Sequence, residues 1–280
     1  MGGPREDPKA GFRTFEAEES GEKLRVRPEL FADHYSQARQ FFVSQTEIEQ
    51  KHIAKALIFE LSKVEVPEIR SRMVGHLLNI ERELAQSVAK GLGIAKLPPA
   101  AKAARQPLTD IEPSPSLSML ANPPGTFEGR KVGVLVTDGA DAAVFAALCK
   151  AVKDEGAEVE VIGPDVGGVE LSDGEHLAVQ QTYEGGPSVL YDAVALIVAD
   201  KWLAKLGKAP AVRDFIADAH AHAKVIGYVP SAGDLLTTGG VDELDEGHVP
   251  LAKAKDATAF VSRCKGPRIW SRETADDPHI

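Results

Sequence analysis

A parallel β-sheet covered by helices, the α/β class, is the fold the sequence predicts, with an α-helical hairpin and a proline-rich linker ahead of it. Three observations carry this. The stretch 130–164, RKVGVLVTDGADAAVFAALCKAVKDEGAEVEVIGP, reads as strand, turn, helix, turn, strand. Val132, Val134 and Val136 lie in a nearly unbroken apolar run, as a strand buried on both faces requires. Second, DAVALIV (192–198) and KVIGYV (224–229) repeat that strand pattern around a helix-like segment at 211–223. Third, prolines at 98, 99, 107, 113, 115, 123 and 124 punctuate the region before them, which suits extended, semi-rigid chain at a domain boundary.

In chain order, residues 1–27 are polar and without sustained period, and predict an extended arm. Residues 28–93 predict helices. Ser44-Gln45-Thr46-Glu47-Ile48-Glu49 offers two overlapping capping boxes, Ser44 with Glu47 and Thr46 with Glu49. Ile53, Leu57 and Leu61 follow four apart. Val66-Pro67 breaks that helix, and Pro67 suits the first turn of the next. Ile69, Met73, Leu77, Ile80, Leu84 and Val88 then mark one apolar face. Two such helices form a hairpin that buries too little surface to be stable alone, so it needs a covering partner. The linker spans 94–128, the α/β domain 129–272 and a tail 273–280. Within the domain, Val144, Leu148 and Val152 recur four apart, and Gly156 stands at a left-handed helix stop. Asp173-Gly174, between Val169-Glu170-Leu171 and Leu177-Ala178-Val179, predicts a hairpin with a two-residue turn. A strand at 248–249 and a helix over about 252–264 close the domain.

The formal net charge is −10, which argues against nucleic acid or an anionic membrane as the main partner. No apolar run approaches the roughly 20 residues of a bilayer span. The first residues lack the apolar core of a signal peptide, so a cytoplasmic protein is expected. Cys149 and Cys264 have no metal-ligand spacing and read as buried free thiols.

YSQARQFFVSQTEIEQ, FELSKV and LAQSVAKGLG, between 35 and 93, resemble the C-terminal helical part of monofunctional haem catalases. PSPSLSML followed by GRKVGVLVTDGAD is similar to the entry into the extra C-terminal domain that the large-subunit (clade 2) members carry. That domain resembles flavodoxin, and more closely the class-I glutamine-amidotransferase-like superfamily. The resemblance implies a region of a homotetrameric enzyme that disproportionates hydrogen peroxide with haem. It also implies that this region is non-catalytic, stabilising the oligomer and framing the channel to the haem. The family's distal-histidine signature is absent from the chain, and so is the arginine four residues before a haem tyrosine. Tyr35, Tyr183, Tyr191 and Tyr228 are preceded at that offset by Phe31, Val179, Pro187 and Lys224. No haem-binding residue, no other cofactor and no metal site is expected here. Two alternatives stand beside this reading: a chaperone-like or small-molecule-binding module, and a residual deglycase or amidohydrolase.

The superfamily places a nucleophilic cysteine on a tight turn after a strand, with an acid on the first helix to support it. In the corresponding KVIGYVPSAGDLL, Val229 or Pro230 occupies the elbow, and Val144 stands at the acid position. Both partners are missing, so the elbow is degenerate. Ser231 reads as an N-cap for a helix starting near Ala232. Asp138 or Asp141 reads as a helix cap rather than an anion site. His220 and His222, two apart on a helix, face different ways and read as surface residues. Gln37 and Phe41 fall where small-subunit catalases contribute to an NADPH site, which large-subunit members are not expected to use. Packing is the expected role of both.

Overall fold

The computed structural model describes residues 18, 20–22, 24–266 and 268–273. The expected arm at 1–27 lies largely outside them, and the tail at 273–280 almost wholly. The helical part holds four helices instead of a two-helix hairpin: α1 (Ser36–Val43), α2 (Glu47–Ser62), α3 (Pro67–Leu77) and α4 (Arg82–Gly91). Of the two possible capping boxes, that of Thr46 and Glu49 forms, the Thr46 N–H donating to Glu49 Oε2 at 2.8 Å. Ser44 instead donates its hydroxyl to the Gln40 carbonyl at the end of α1. Pro67 takes the first turn of α3, as predicted.

The predicted continuous face from Ile69 to Val88 is interrupted at 78–81, for an identifiable reason. Arg39 donates to the Ile80 carbonyl at 2.7 Å, and Asn79 donates its side-chain amide to the Ala101 carbonyl at 2.9 Å. Glu81 then turns to extended backbone (φ −153°), and its carboxylate accepts from the Arg82 N–H to start α4. The core of the four helices is small: Phe42, Ala54, Val74, Leu77, Leu84, Ala85, Val88 and Ala89. Helix α2 gives it only Ala54, leaving Ile53, Leu57 and Leu61 half-buried.

The proline-rich segment does not stand clear of the helices. Ala101 N–H donates to the Gly75 carbonyl, Leu108 N–H to Ser36 Oγ and Ser114 N–H to Ser44 Oγ, at 2.8–2.9 Å. Ser118 Oγ and Leu120 N–H both reach the Glu49 carboxylate, at 2.8 and 3.1 Å. These bonds lay it as a strap along the helices.

The α/β region opens with the predicted unit of β1 (Lys131–Val136), α5 (Ala142–Asp154) and β2 (Glu158–Gly163). Gly156 holds the left-handed position after α5, at φ +72°. A short hairpin follows, β3 (Val169–Glu170) with β4 (His176–Leu177). Its loop is longer than the two residues predicted. Leu171 N–H pairs with the Glu175 carbonyl and Gly174 N–H with that of Leu171, with Gly174 at φ +85°. That is a three-residue loop closed by a glycine bulge. Then come β5 (Gln181–Thr182), β6 (Ala193–Ile197), α6 (Leu203–Leu206), α7 (Pro210–Ala221), β7 (Ile226–Tyr228), α8 (Gly233–Thr238), β8 (His248–Pro250) and α9 (Asp256–Cys264).

Six strands form one sheet in the order β5-β2-β1-β6-β7-β8, and every pairing is parallel. With edge strand β5 set aside, this is the flavodoxin-like order. Two glycines show how the faces are covered. On one face a Cβ added to Gly133 would fall 2.4 Å from Cδ2 of Tyr191, whose ring stands 6.5 Å from Phe215 of α7. On the other, a Cβ on Gly227 would fall 2.9 Å from Phe260 of α9. Gly133 pairs with Val194 and Gly227 with Ala195, one residue along β6, so the two point to opposite sides. Gly133→Ala is therefore expected to lose about 1–3 kcal/mol by overpacking Tyr191. Gly233→Ala, with open space and helical φ −53°, serves as the neutral comparison. Equal urea midpoints for the two variants would contradict this packing.

Candidate functional site

In a doubly wound sheet, ligands bind outside the carboxyl ends of the strands where the order reverses, here between β1 and β6. Ala199 N–H donates to Thr137 Oγ1 at 2.9 Å and ties those two strand ends together. The short hairpin clasps the loop after β1: Gly139 N–H donates to the Glu170 carbonyl at 2.7 Å, and Glu170 N–H to Asp138 Oδ1 at 2.9 Å. Asp141 caps α5 by accepting from Val144 N–H at 2.9 Å, so of the two aspartates it is Asp141 that acts as the helix cap.

A cleft of about 580 Å³ lies at this edge, and it brings together the positions singled out in the sequence. Val229, Pro230 and Ser231 form one wall and Val144 another, with Ser172 and Lys201 nearby. Val229 is buried with φ −66°, ψ 138°, ordinary extended backbone. A working nucleophile elbow holds its residue on a sharp, strained turn. Ser231 is exposed inside a short 3₁₀ turn and caps nothing, because α8 begins after Ala232 without a side-chain cap. The expected N-cap is thereby corrected: the extra 3₁₀ turn moves the helix start two residues beyond Ser231. Neither cysteine lines this cleft. Cys149 is half-buried on α5, and Cys264 is buried on α9 beside Arg130 and Asp192, away from the elbow. Burial pushes both thiols up, away from the reactive thiolate.

Beside it, a second cleft of about 420 Å³ is walled by Tyr183, Trp202, Asp138 and Glu184. Tyr183 donates to the Val136 carbonyl at 3.1 Å and Trp202 Nε1 to that of Asp138 at 3.0 Å. Burial and the nearby carboxylates push the Tyr183 phenol well above its usual value. Sequence reading missed this pair, because aromatic residues nineteen apart carry no motif.

The histidines depart from expectation. His222 is exposed as expected, but His220 stacks on His248 with ring centroids 5.2 Å apart. Its Nδ1 lies 3.3 Å from His248 Nε2. Asp245 N–H donates to His248 Nδ1 at 3.0 Å, which leaves the proton on Nε2, facing His220. Arg272 grips Asp245 through Nε and Nη2, at 2.6 and 2.9 Å. His220, Asp245 and His248 are close enough to share a cation. The chemistry is against it, since the guanidinium of Arg272 already takes both Asp245 oxygens and stands 3.5 Å from His248 Nε2. The network instead fastens the segment at Arg272 to the turn that leads into β8. Residues 28 apart in sequence gave no earlier signal of it.

Burial, followed by Arg272, depresses His248 to about 4. For Asp245 burial acts upward, and the Arg272 hydrogen bonds outweigh it, to about 2. A histidine near 6.5 when unfolded and about 4 when folded stabilises fully above pH 6.5. That contribution is lost as pH falls towards 4, because the unfolded chain takes up the proton first. The loss is on the order of 3 kcal/mol. Urea midpoints should fall between pH 7.5 and 4.5, and His248→Phe should flatten that slope. An unchanged slope would show that His248 titrates normally.

Gln37 and Phe41 are both exposed, so the packing role expected of them is corrected; the neighbouring Phe42 enters the core instead. Tyr35 is buried, its hydroxyl 2.8 Å from His76 Nδ1.

A family model described as the C-terminal domain found in long catalases matches residues 128–273. The chain belongs to the long catalases. A second model, Catalase-related immune-responsive, matches residues 28–92. The chain is 53% identical over 272 residues to Catalase C of Rhizobium meliloti, covering 97% of this chain and 39% of that one. It is 36% identical to Catalase HPII of Pseudomonas putida, covering 98% and 38%, and 32% identical to Catalase-2 of Bacillus subtilis, covering 94% and 37%. The chain thus corresponds to the C-terminal part of a long catalase and spans about two fifths of the length of these relatives.

The residues present do not fit a haem. A catalase haem iron takes a tyrosinate. Here the Tyr183 hydroxyl donates to the Val136 carbonyl and that of Tyr191 to Glu160, the Tyr35 hydroxyl is held by His76, and Tyr228 is buried in the α/β core. Among the described residues, no helix is long and apolar enough to cross a membrane.

Proposed function

We propose that this chain works as a non-catalytic region of a long catalase, whose haem and peroxide chemistry reside elsewhere in the enzyme. Its role is to stabilise the oligomer, a homotetramer in this reading, and to frame the channel leading to the haem. The parent reaction is the disproportionation of hydrogen peroxide to water and oxygen, in the cytoplasm, as part of the response to oxidative stress. One observation carries the proposal. The chain matches catalases along nearly its whole length, and the positions read as an elbow and its supporting acid hold buried valines, Val229 and Val144. The helical part supports the assembly role, with Phe41, Phe59, Val66 and Ile69 exposed.

The test is a haem titration of the purified chain, followed by oxygen release from peroxide. No stoichiometric Soret band and no oxygen above the buffer rate are expected. A Soret peak and oxygen release on the same species would overturn the proposal.

A further inference from the structure

At the opposite, amino-terminal edge of the sheet lies a cleft of about 330 Å³ whose charges do not balance. Arg130, just before β1, and Arg268, after α9, line it, with Asp192 as the carboxylate between them. Asp192 is already engaged: its Oδ2 accepts from Lys131 N–H at 3.0 Å, and its carbonyl accepts from Arg268 Nη1 at 3.3 Å. Neither guanidinium has an ion pair among the described residues, and that of Arg130 has no hydrogen bond either. Lys224 adds a third cation beside them, on the wall of an adjoining cleft that shares Arg268 and Trp270. Its ammonium is buried and donates to the carbonyls of Ser188 and Tyr191. Trp270 lines both clefts, and its indole N–H is buried without an acceptor among the described residues.

Among the described residues, Arg130 and Arg268 face only the Asp192 carboxylate in this cleft, and the adjoining one sets Lys224 and Arg268 against Glu273, a cation excess in a chain of net charge −10. Taking like charges out of water is costly unless a counter-charge meets them. The cations depress one another accordingly. Burial, then Arg268, brings Lys224 down to about 8, and burial is also the main cause lowering Arg268. Guanidinium groups that face a cleft without a carboxylate partner match oxyanions best, because the planar fork pairs with carboxylate or phosphate oxygens. The remaining lining is small or apolar: Ala193, Val225, Gly266 and the Cys264 side chain.

We propose that this cleft is a binding site for a small oxyanion ligand, a phosphate- or carboxylate-bearing molecule held between Arg130 and Arg268. It shares no lining residue with the elbow cleft and is independent of the catalase reading.

The test uses the full chain with Trp202→Phe, so that Trp270 is the only tryptophan fluorophore. Inorganic phosphate and citrate are titrated separately at constant ionic strength, which distinguishes the phosphate from the carboxylate source. A saturable change in Trp270 emission is expected with at least one. Arg130→Gln and Arg268→Gln should each weaken it about tenfold or more, equivalent to about 1.4 kcal/mol. Lys201→Gln, at the far edge, should leave it unchanged. If Arg268→Gln does not fold, the half-exposed Arg130→Gln decides alone. No saturable response to either anion, or equal binding by the arginine variants and Lys201→Gln, overturns the site.

Discussion

In native-state hydrogen exchange at low protein concentration, the amides of Ile53, Leu57 and Leu61 should exchange about a hundredfold or more faster than those of Val132, Val134 and Val136. The reason is unequal burial. Strand β1 lies in the middle of the sheet with both faces covered, and its three valines are fully buried. Helix α2 sends one small side chain into a small core, while Phe59 on the same helix is 62% exposed. Full burial of a large apolar side chain is worth roughly 1.5–3 kcal/mol. Three half-buried ones forgo about 3 kcal/mol between them, which is about two decades in an opening equilibrium. Raising the concentration should slow α2 as copies cover one another's exposed apolar faces. Equal protection of α2 and β1 in a monomer would show that the helices are stable within their own chain.

Glu49→Ala should release the strap and loosen α2 together. One carboxylate accepts from Thr46 N–H, Ser118 Oγ and Leu120 N–H, so the substitution removes a helix cap and a strap anchor at once. Hydrogen bonds to a charged group are worth about 1.5–3 kcal/mol each, less where water competes. A net loss of about 3 kcal/mol, confined to the helices and strap, is therefore expected. Burial acts to raise the Glu49 carboxyl, and the bonds from Thr46, Ser118 and Leu120 outweigh it, so the group is held below its ordinary value. Its contribution is present above the unfolded carboxyl value and disappears as pH falls through the folded one. Limited proteolysis with mass spectrometry should find new cuts between 101 and 120 in the variant and none in β1. An unchanged digestion pattern would mean that the strap is held by other contacts.

The α/β region was the most legible part of the sequence because its strands are buried on both faces. Apolar runs at 132–136 and 193–197 leave no competing reading, and a parallel order follows from the helices between them. The helical part was less legible. The spacing from Ile69 to Val88 is that of one helix, and the break at 78–81 depends on Arg39 and Ala101, which are distant in sequence. Asp173-Gly174 marked a turn but not its length, since the same pair serves a two-residue turn and a bulged loop. The elbow expected at Val229 and Pro230 rests on an absent cysteine, which is visible as a letter, and to it the structure adds ordinary extended backbone at Val229. The His220–His248 stack gave no such letter, because the folding of β8 and the segment at Arg272 brings its members together. The oxyanion cleft was invisible for the same reason, its arginines coming from before the first strand and after the last helix.

The strap changes what joins the helices to the sheet. A free linker over 94–128 would be 35 residues long and could reach about 120 Å when extended. The last bond from the strap to the helices is Leu120 N–H to the Glu49 carboxylate at 3.1 Å, and Phe127 is already buried in the core of the α/β region. Only residues 121–126 remain between these anchors. Six residues span about 20 Å at most, and the two prolines stiffen even that. The junction is therefore a short leash, which holds each part at a high effective concentration near the other. Weak contacts across it, such as His52 Nε2 with Glu273 Oε2 at 2.7 Å and the His52 ring beside Trp270, then form far more often than the same pairs would on separate molecules.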